Sequence, residues 1–131
     1  MIAIDSSALI AILLHESERD TFFDRIADAE TRKVSAVTVL EAGLVMFGRL
    51  GPSGVSDVLD FLTVIDAEIV PFDAHQAQSA LTAFSRFGKG VNSKSRLNMG
   101  DCASYALAKT LNVPLLYKGN DFPATDITAA I

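Results

Sequence analysis

Short apolar runs alternate along this chain with longer stretches in which apolar residues return every three to four positions. Ile2-Ala3-Ile4 reads as a short buried strand. Ser6 to Leu14 reads as a helix that is apolar nearly all round, as buried helices are. Ser17 can cap a second helix carrying Phe22, Phe23 and Ile26. Lys33 to Ala36 is a weaker strand, followed by a helix from about Thr38 to Arg49 that Gly48 and Gly51 end. Pro52 suits the first turn of the next helix. There Val55, Val58, Leu59, Leu62 and Ile65 make an amphipathic stripe. Glu68 to Phe72 gives a third strand, and Pro71 inside it predicts an edge position. Asp73 and Gln76 predict a capping box for a helix with Ala77, Ala80, Leu81, Phe84 and Phe87 on one face. Gly88 to Leu97 reads as an exposed loop. Asn98 then caps a helix from Met99 to about Leu111, and Val113 to Tyr117 is a fourth strand.

Strands and helices alternating at this spacing imply βαβ crossovers. The expectation is one α/β domain over residues 1–131, a three-layer α/β/α sandwich around a mainly parallel sheet of four to five strands. Composition agrees: half of the residues are hydrophobic and 21% are charged, which excludes a disordered chain. The single cysteine, Cys102, excludes an internal disulfide and fits a reducing compartment. No stretch approaches the ~20 apolar residues that span a bilayer. The first apolar stretch has no basic leader and is split by Asp5 and two serines, so it does not read as a secretory signal. A cytoplasmic protein without membrane attachment is expected.

The formal net charge is −5, which argues against nucleic-acid binding through bulk charge. One local exception stands out. Arg86, Lys89, Lys94 and Arg96 place four bases, and no acid, within eleven residues. Such a cluster can grip RNA phosphates, although basic runs of this kind are more often solvated loop.

Four acids give the chain its candidate chemistry. Asp5, Glu41, Asp101 and Asp121 each fall where an apolar run gives way, at a strand end or in the opening turns of a helix. In a parallel sheet all four then project from the edge outside the strands' carboxyl ends, where open α/β sheets bind ligands. Each has a local explanation too. Thr38-x-x-Glu41 and Asn98-x-x-Asp101 resemble capping boxes, Asp5 can cap the helix after it, and Asp121 follows the turn Gly119-Asn120. Jointly they ask for more, because two like charges ~4 Å apart repel by about 4 kcal/mol at an effective dielectric of ~20. Hard oxygen donors without a His/Cys cluster select Mg²⁺ or Mn²⁺ over Zn²⁺. A cation held there would polarise a phosphate and activate water. Metal-assisted phosphodiester hydrolysis is the chemistry that fits.

The blocks "MIAIDSSALIAILLHE", "SAVTVLEAG", "LNMGDCASYALAK" and "LLYKGNDFPATDI" stand in the order and spacing of a PIN domain. They resemble in particular the VapC-type toxins of bacterial toxin–antitoxin pairs, over essentially the whole chain. The resemblance implies a metal-dependent endoribonuclease that leaves a 5′-phosphate and a 3′-hydroxyl. It implies Asp5, Glu41 and Asp101 as the acidic members of the metal site, with Ser7 the small hydroxyl supporting it. For the fourth position it favours Asp121, with Asn120 a neutral ligand and Asp126 a substitute. It also implies a homodimer, an RNA substrate, and a cognate VapB-type antitoxin whose C-terminal segment enters the acidic groove. Two other classes compete. A phosphoacceptor or phosphatase domain also places acids at strand ends, but "IDSS" lacks the second aspartate of the DxD pattern, and Lys118 is its only evident late-strand lysine. A PIN fold used only for binding is the other. His15, His75 and Cys102 lack the partner spacing of ligands or nucleophiles.

Overall fold

The computed structural model describes residues 1–131. Four strands, β1 (Ile2–Ile4), β2 (Arg32–Ser35), β3 (Ala67–Val70) and β4 (Leu115–Leu116), form one sheet in the order β3-β2-β1-β4. All three pairings are parallel, and Ala3 stands opposite Lys33 on one side and Leu115 on the other. The helices are α1 (Ser6–Leu13), α2 (Arg19–Asp28), α3 (Ala36–Leu50), α4 (Pro52–Val64), α5 (Ala74–Phe87) and α6 (Met99–Leu111).

The pleat of β1 explains the three layers. Ile2 and Ile4 join a core with Leu9, Ile12, Phe22, Ile26, Met46, Val58 and Leu62, so α1 to α4 cover that face. Ala3, pointing the other way, joins Phe87, Leu97, Tyr105, Leu107 and Phe122 under α5 and α6. Likewise Leu116 belongs to the first core and Leu115 to the second. Strands buried on both faces show continuous apolar runs rather than alternation, as β1 does. Gly54 has a specific task in the first layer: a Cβ there would collide with the Met46 carbonyl, so a glycine lets α4 lie directly on α3.

The sheet places the site. The chain runs from β1 outward through β2 to β3, then returns to add β4 on the other side of β1. That reversal is a topological switch point, where α/β sheets open a crevice beyond the strand ends. Residues 128–130 fold back along β4, with Leu115 donating its N–H to Thr128 O and accepting from Ala130 N, which covers that edge.

Several boundaries differ from the expected ones. β2 ends at Ser35, whose side chain accepts the Val37 N–H and starts α3 earlier than Thr38. Thr38 and Glu41 therefore form no capping box. α3 also continues through Gly48 to Leu50, with Gly51 at φ 68° as its cap. The Ser17 hydroxyl donates to the Glu18 side chain and does not cap α2. Asp73 accepts the Gln76 N–H, but Gln76 Oε1 is buried without a partner, so only half of that capping box exists. β3 is the edge strand as expected, and it ends just before Pro71, which cannot donate to a ladder. β4 keeps only its middle, Leu115–Leu116. The 88–97 loop is exposed at its bases but closes on itself, with Lys89 donating to Leu97 O and Leu97 to Phe87 O.

Candidate functional site

Asp5 leaves the end of β1 with only 1% of its surface exposed. Buried carboxylates need hydrogen-bond donors, and the sequence supplies them locally. Asp5 Oδ2 accepts from the Ser7 N–H at 3.1 Å and the Ser7 hydroxyl at 2.6 Å. Oδ1 accepts from the Ser104 hydroxyl at 2.5 Å. Ser104 Oγ in turn lies 3.2 Å from Thr38 Oγ1. One carboxylate thereby ties β1, α1, α3 and α6 together. Ser7 Oγ also accepts the Lys118 N–H at 2.9 Å, which holds the start of the segment after β4 against the same group.

Glu41 reaches the site from α3. Its Oε1 accepts from the Ser6 hydroxyl at 2.5 Å, and its carboxylate lies over Gly100 in the first turn of α6. Burial raises the Glu41 pKa; the Ser6 hydrogen bond opposes this, and the Asp5 charge adds to it. Freed from the capping box, Glu41 has no local backbone role to explain it.

Asp101 is the third residue of α6 and completes a capping box with Asn98: it receives the Asn98 N–H, and the Asn98 side chain receives its own. It is 8% exposed. Burial above all pushes its pKa up to about 7, against the Asn98 hydrogen bond, and the charges of Asp5, Asp121 and Glu41 push the same way. Asp101 therefore feels all three of the other acids singled out from the sequence. Asp121 and Asn120 are exposed on the segment after β4.

Asp126 is occupied elsewhere. It accepts from the Tyr105 hydroxyl at 2.6 Å and pairs with Lys109 at 3.1 Å and Arg86 at 3.7 Å. Arg86 lies at 3.7 Å from Asp126 and over Phe87, 4.6 Å from the ring centroid, yet its side chain is still 54% exposed; Lys89, Lys94 and Arg96 are exposed without an ion pair. The ion pairs of the molecule use Asp20, Glu68, Asp126, Glu16 and Glu18; none uses Asp5, Glu41, Asp101 or Asp121. Lys118, the basic partner a phosphoacceptor domain would need, is bound to Glu16 and Glu18 at 3.2 Å each. Cys102 is buried and its thiol is pushed up to about 11 by desolvation, which removes it as a nucleophile.

No three of these acidic groups close into a ready-made metal cage. The arrangement is open. Mg²⁺ characteristically keeps several waters and takes only one or two carboxylates together with substrate phosphates, so an acidic edge of hard oxygens with no neutralising base fits such an ion. Serine hydroxyls fix the Asp5 and Glu41 carboxylates, in the way that outer partners orient metal-binding carboxylates elsewhere. Ser6, Ser104 and Gly100 were not singled out from the sequence, and Thr38 only as a helix cap. Ser104 had a visible signal, since it sits three residues after Asp101 on the same helix face.

The PIN domain family matches residues 2–127. The chain is similar to Ribonuclease VapC28 of Mycobacterium tuberculosis, at 42% identity over 98% of this chain and 96% of that relative. It is similar also to Ribonuclease VapC of Mycolicibacterium smegmatis, at 40% identity over 96% and 97%. Among solved structures, the Mycobacterium tuberculosis toxin VapC20, which cleaves the sarcin-ricin loop, superposes with a TM-score of 0.80 at 14% identity, covering 98% of this chain and 97% of that one. A chain of the DNA-bound VapBC2 complex of Rickettsia felis superposes at 0.72 with 18% identity, covering 98% and 96%. At such identities the superpositions speak for the fold.

Proposed function

The chain belongs to the PIN-domain family, and from that premise we propose that it is a Mg²⁺- or Mn²⁺-dependent endoribonuclease acting as the toxin of a VapBC-type pair in the cytoplasm. The observation that carries this reading is the group of acids itself: Asp5 and Asp101 are buried beside Glu41, held by serine hydroxyls and a capping box, and no base pairs with any of them. Relatives named VapC ribonuclease, matched over nearly their whole length, support the activity.

Asp5, Glu41, Asp101 and Asp121 would hold one or two ions between them, partly through water, and the metal would supply a Lewis acid for the phosphate and lower the pKa of attacking water. The chain's own part is positioning and charge. Ser7 and Ser104 fix the plane of the Asp5 carboxylate, and Ser6 fixes that of Glu41. The Asn98 N–H fixes one oxygen of Asp101 at the helix start. Lys89, Lys94 and Arg96 are exposed and can take RNA phosphates; Arg86 shares its charge with Asp126 at 3.7 Å, which weakens its hold on a phosphate. Hydrolysis at phosphorus leaves a 5′-phosphate and a 3′-hydroxyl, with no covalent intermediate. Asn120 adjoins Asp121 as a neutral oxygen donor.

The partner in this reading is a VapB-type antitoxin whose arm meets the same acids. Solved relatives of the fold include toxin–antitoxin complexes from Klebsiella pneumoniae and Salmonella typhimurium. The homodimer has an available seam, since Leu40, Leu44 and Phe47 project from α3 and are each more than half exposed. No helix is long and apolar enough to cross a membrane.

The test is incubation of purified protein with total bacterial RNA in Mn²⁺ or in chelator, followed by mapping of the new ends. Cleavage with 5′-phosphate ends in Mn²⁺ alone is expected, and Asp101→Asn should reduce it at least ~100-fold. Equal cleavage by that variant, or in chelator, would refute the assignment.

A further inference from the structure

Gly100 immediately precedes Asp101 and is the second residue of α6. Nothing in its backbone calls for glycine, because α6 is regular there and alanine is the better helix former. Its surroundings do. A Cβ built on Gly100 would overlap the Glu41 carboxylate, meeting Oε2, Cδ and Oε1, and no other group is as close. The same Glu41 carboxylate is held at Oε1 by the Ser6 hydroxyl at 2.5 Å. Glu41 is thus seated between α1 and α6, with the Ser6 hydroxyl on one side and a bare Cα on the other. The neighbour that must give way to a methyl group is the far end of a flexible side chain, so the collision can be relieved by moving Glu41 without moving either helix.

The geometry points to Gly100 as a positioning residue: its missing side chain is the space in which the Glu41 carboxylate reaches the first turn of α6, beside Asp101. The inference rests on the proposed metal site for its consequence, but the steric link stands without metal. Substitution by alanine should separate function from folding. Outer partners of metal-binding groups typically matter roughly 10- to 100-fold in metal affinity, and a displaced Glu41 should act on that scale.

The experiment is a double-mutant cycle of Gly100→Ala and Glu41→Ala, read by calorimetric titration with Mn²⁺ and by thermal unfolding of the metal-free proteins. Gly100→Ala should weaken Mn²⁺ binding by roughly tenfold and leave the fold intact, and in the Glu41→Ala background it should weaken binding no further. Without metal, the alanine should raise Tm more in the Glu41→Ala background than with Glu41 present, because the overlap is gone. If Gly100→Ala fails to fold, restoration of folding by Glu41→Ala supports the inference, and failure of the double variant overturns it. An identical Tm change in both backgrounds, or unchanged Mn²⁺ affinity in Gly100→Ala, also overturns it. Should the wild type bind no Mn²⁺, the metal reading falls and the Tm cycle alone decides the role of Gly100.

Discussion

Asp101 and Asp126 both border α6, and they keep opposite company. Asp101 is buried at the helix start among Asp5, Glu41 and Asp121, with its pKa driven up to about 7 by desolvation and then by those charges. Asp126 packs against the later turns with Tyr105, Lys109 and Arg86. Desolvation raises its pKa too, but hydrogen bonds from Tyr105 and Lys109 and the Lys109 charge outweigh it, so the net shift is downward. One acid is held in a state that water or a cation would relieve. The other is already satisfied. A perturbed acid in a crevice marks a functional site only when its environment leaves something unmet, and that separates these two residues.

The largest consequence is the pH dependence of the metal-free protein. The Asp101 pKa rises from 3.8 to about 7 on folding, so the folded state binds that proton more tightly than the unfolded chain. Stability contributed by the protonated group is complete below about pH 4 and is lost as pH rises to about 7, by at most about 4 kcal/mol. Asp101→Asn should therefore unfold at a higher temperature than wild type at pH 8 and at a similar one near pH 4. Denaturation curves across that range in chelator check it. A variant no more stable at pH 8 would mean that neither burial nor the neighbouring charges disfavour the Asp101 carboxylate.

Asp126→Asn gives the smaller and opposite effect. Its lowered pKa means stability present at neutral pH and lost as pH falls through the carboxylate range. With a side chain 40% exposed, the group is largely screened, and the substitution should cost roughly 0.5–1 kcal/mol at pH 7. RNA cleavage by this variant should stay at the wild-type level. A loss of cleavage without unfolding would move Asp126 into the site and dissolve the contrast.

The sheet was legible because Ile2-Ala3-Ile4 and Leu115-Leu116 are apolar on both sides, which only a strand between two helix layers explains. Asp5 stood out as a charge at the end of such a strand, and Asp101 as an acid in the first turn of a mostly apolar helix. Glu41 was ambiguous, since Thr38-x-x-Glu41 carries the letters of a capping box. Ser35 starts the helix instead, and a shift of three residues turns an apparent cap into a residue that reaches Ser6 and the first turn of α6. Ser6, Ser104 and Gly100 were illegible as site residues. Their roles come from contacts between α1, α3 and α6, which are far apart in sequence, and a serine or glycine in a helix carries no mark of the side chain it meets. Arg86 had a contact that the basic run concealed, an ion pair with Asp126, which is distant in the chain.

Calorimetric titration of Mn²⁺ into wild type, Asp101→Asn and Asp126→Asn at pH 7.5 tests the central contrast most directly. Wild type and Asp126→Asn should bind with matching affinity and stoichiometry, while Asp101→Asn should show binding weakened at least ~100-fold. Failure of wild type to bind, or equal binding by Asp101→Asn, would contradict the acidic edge as a metal site.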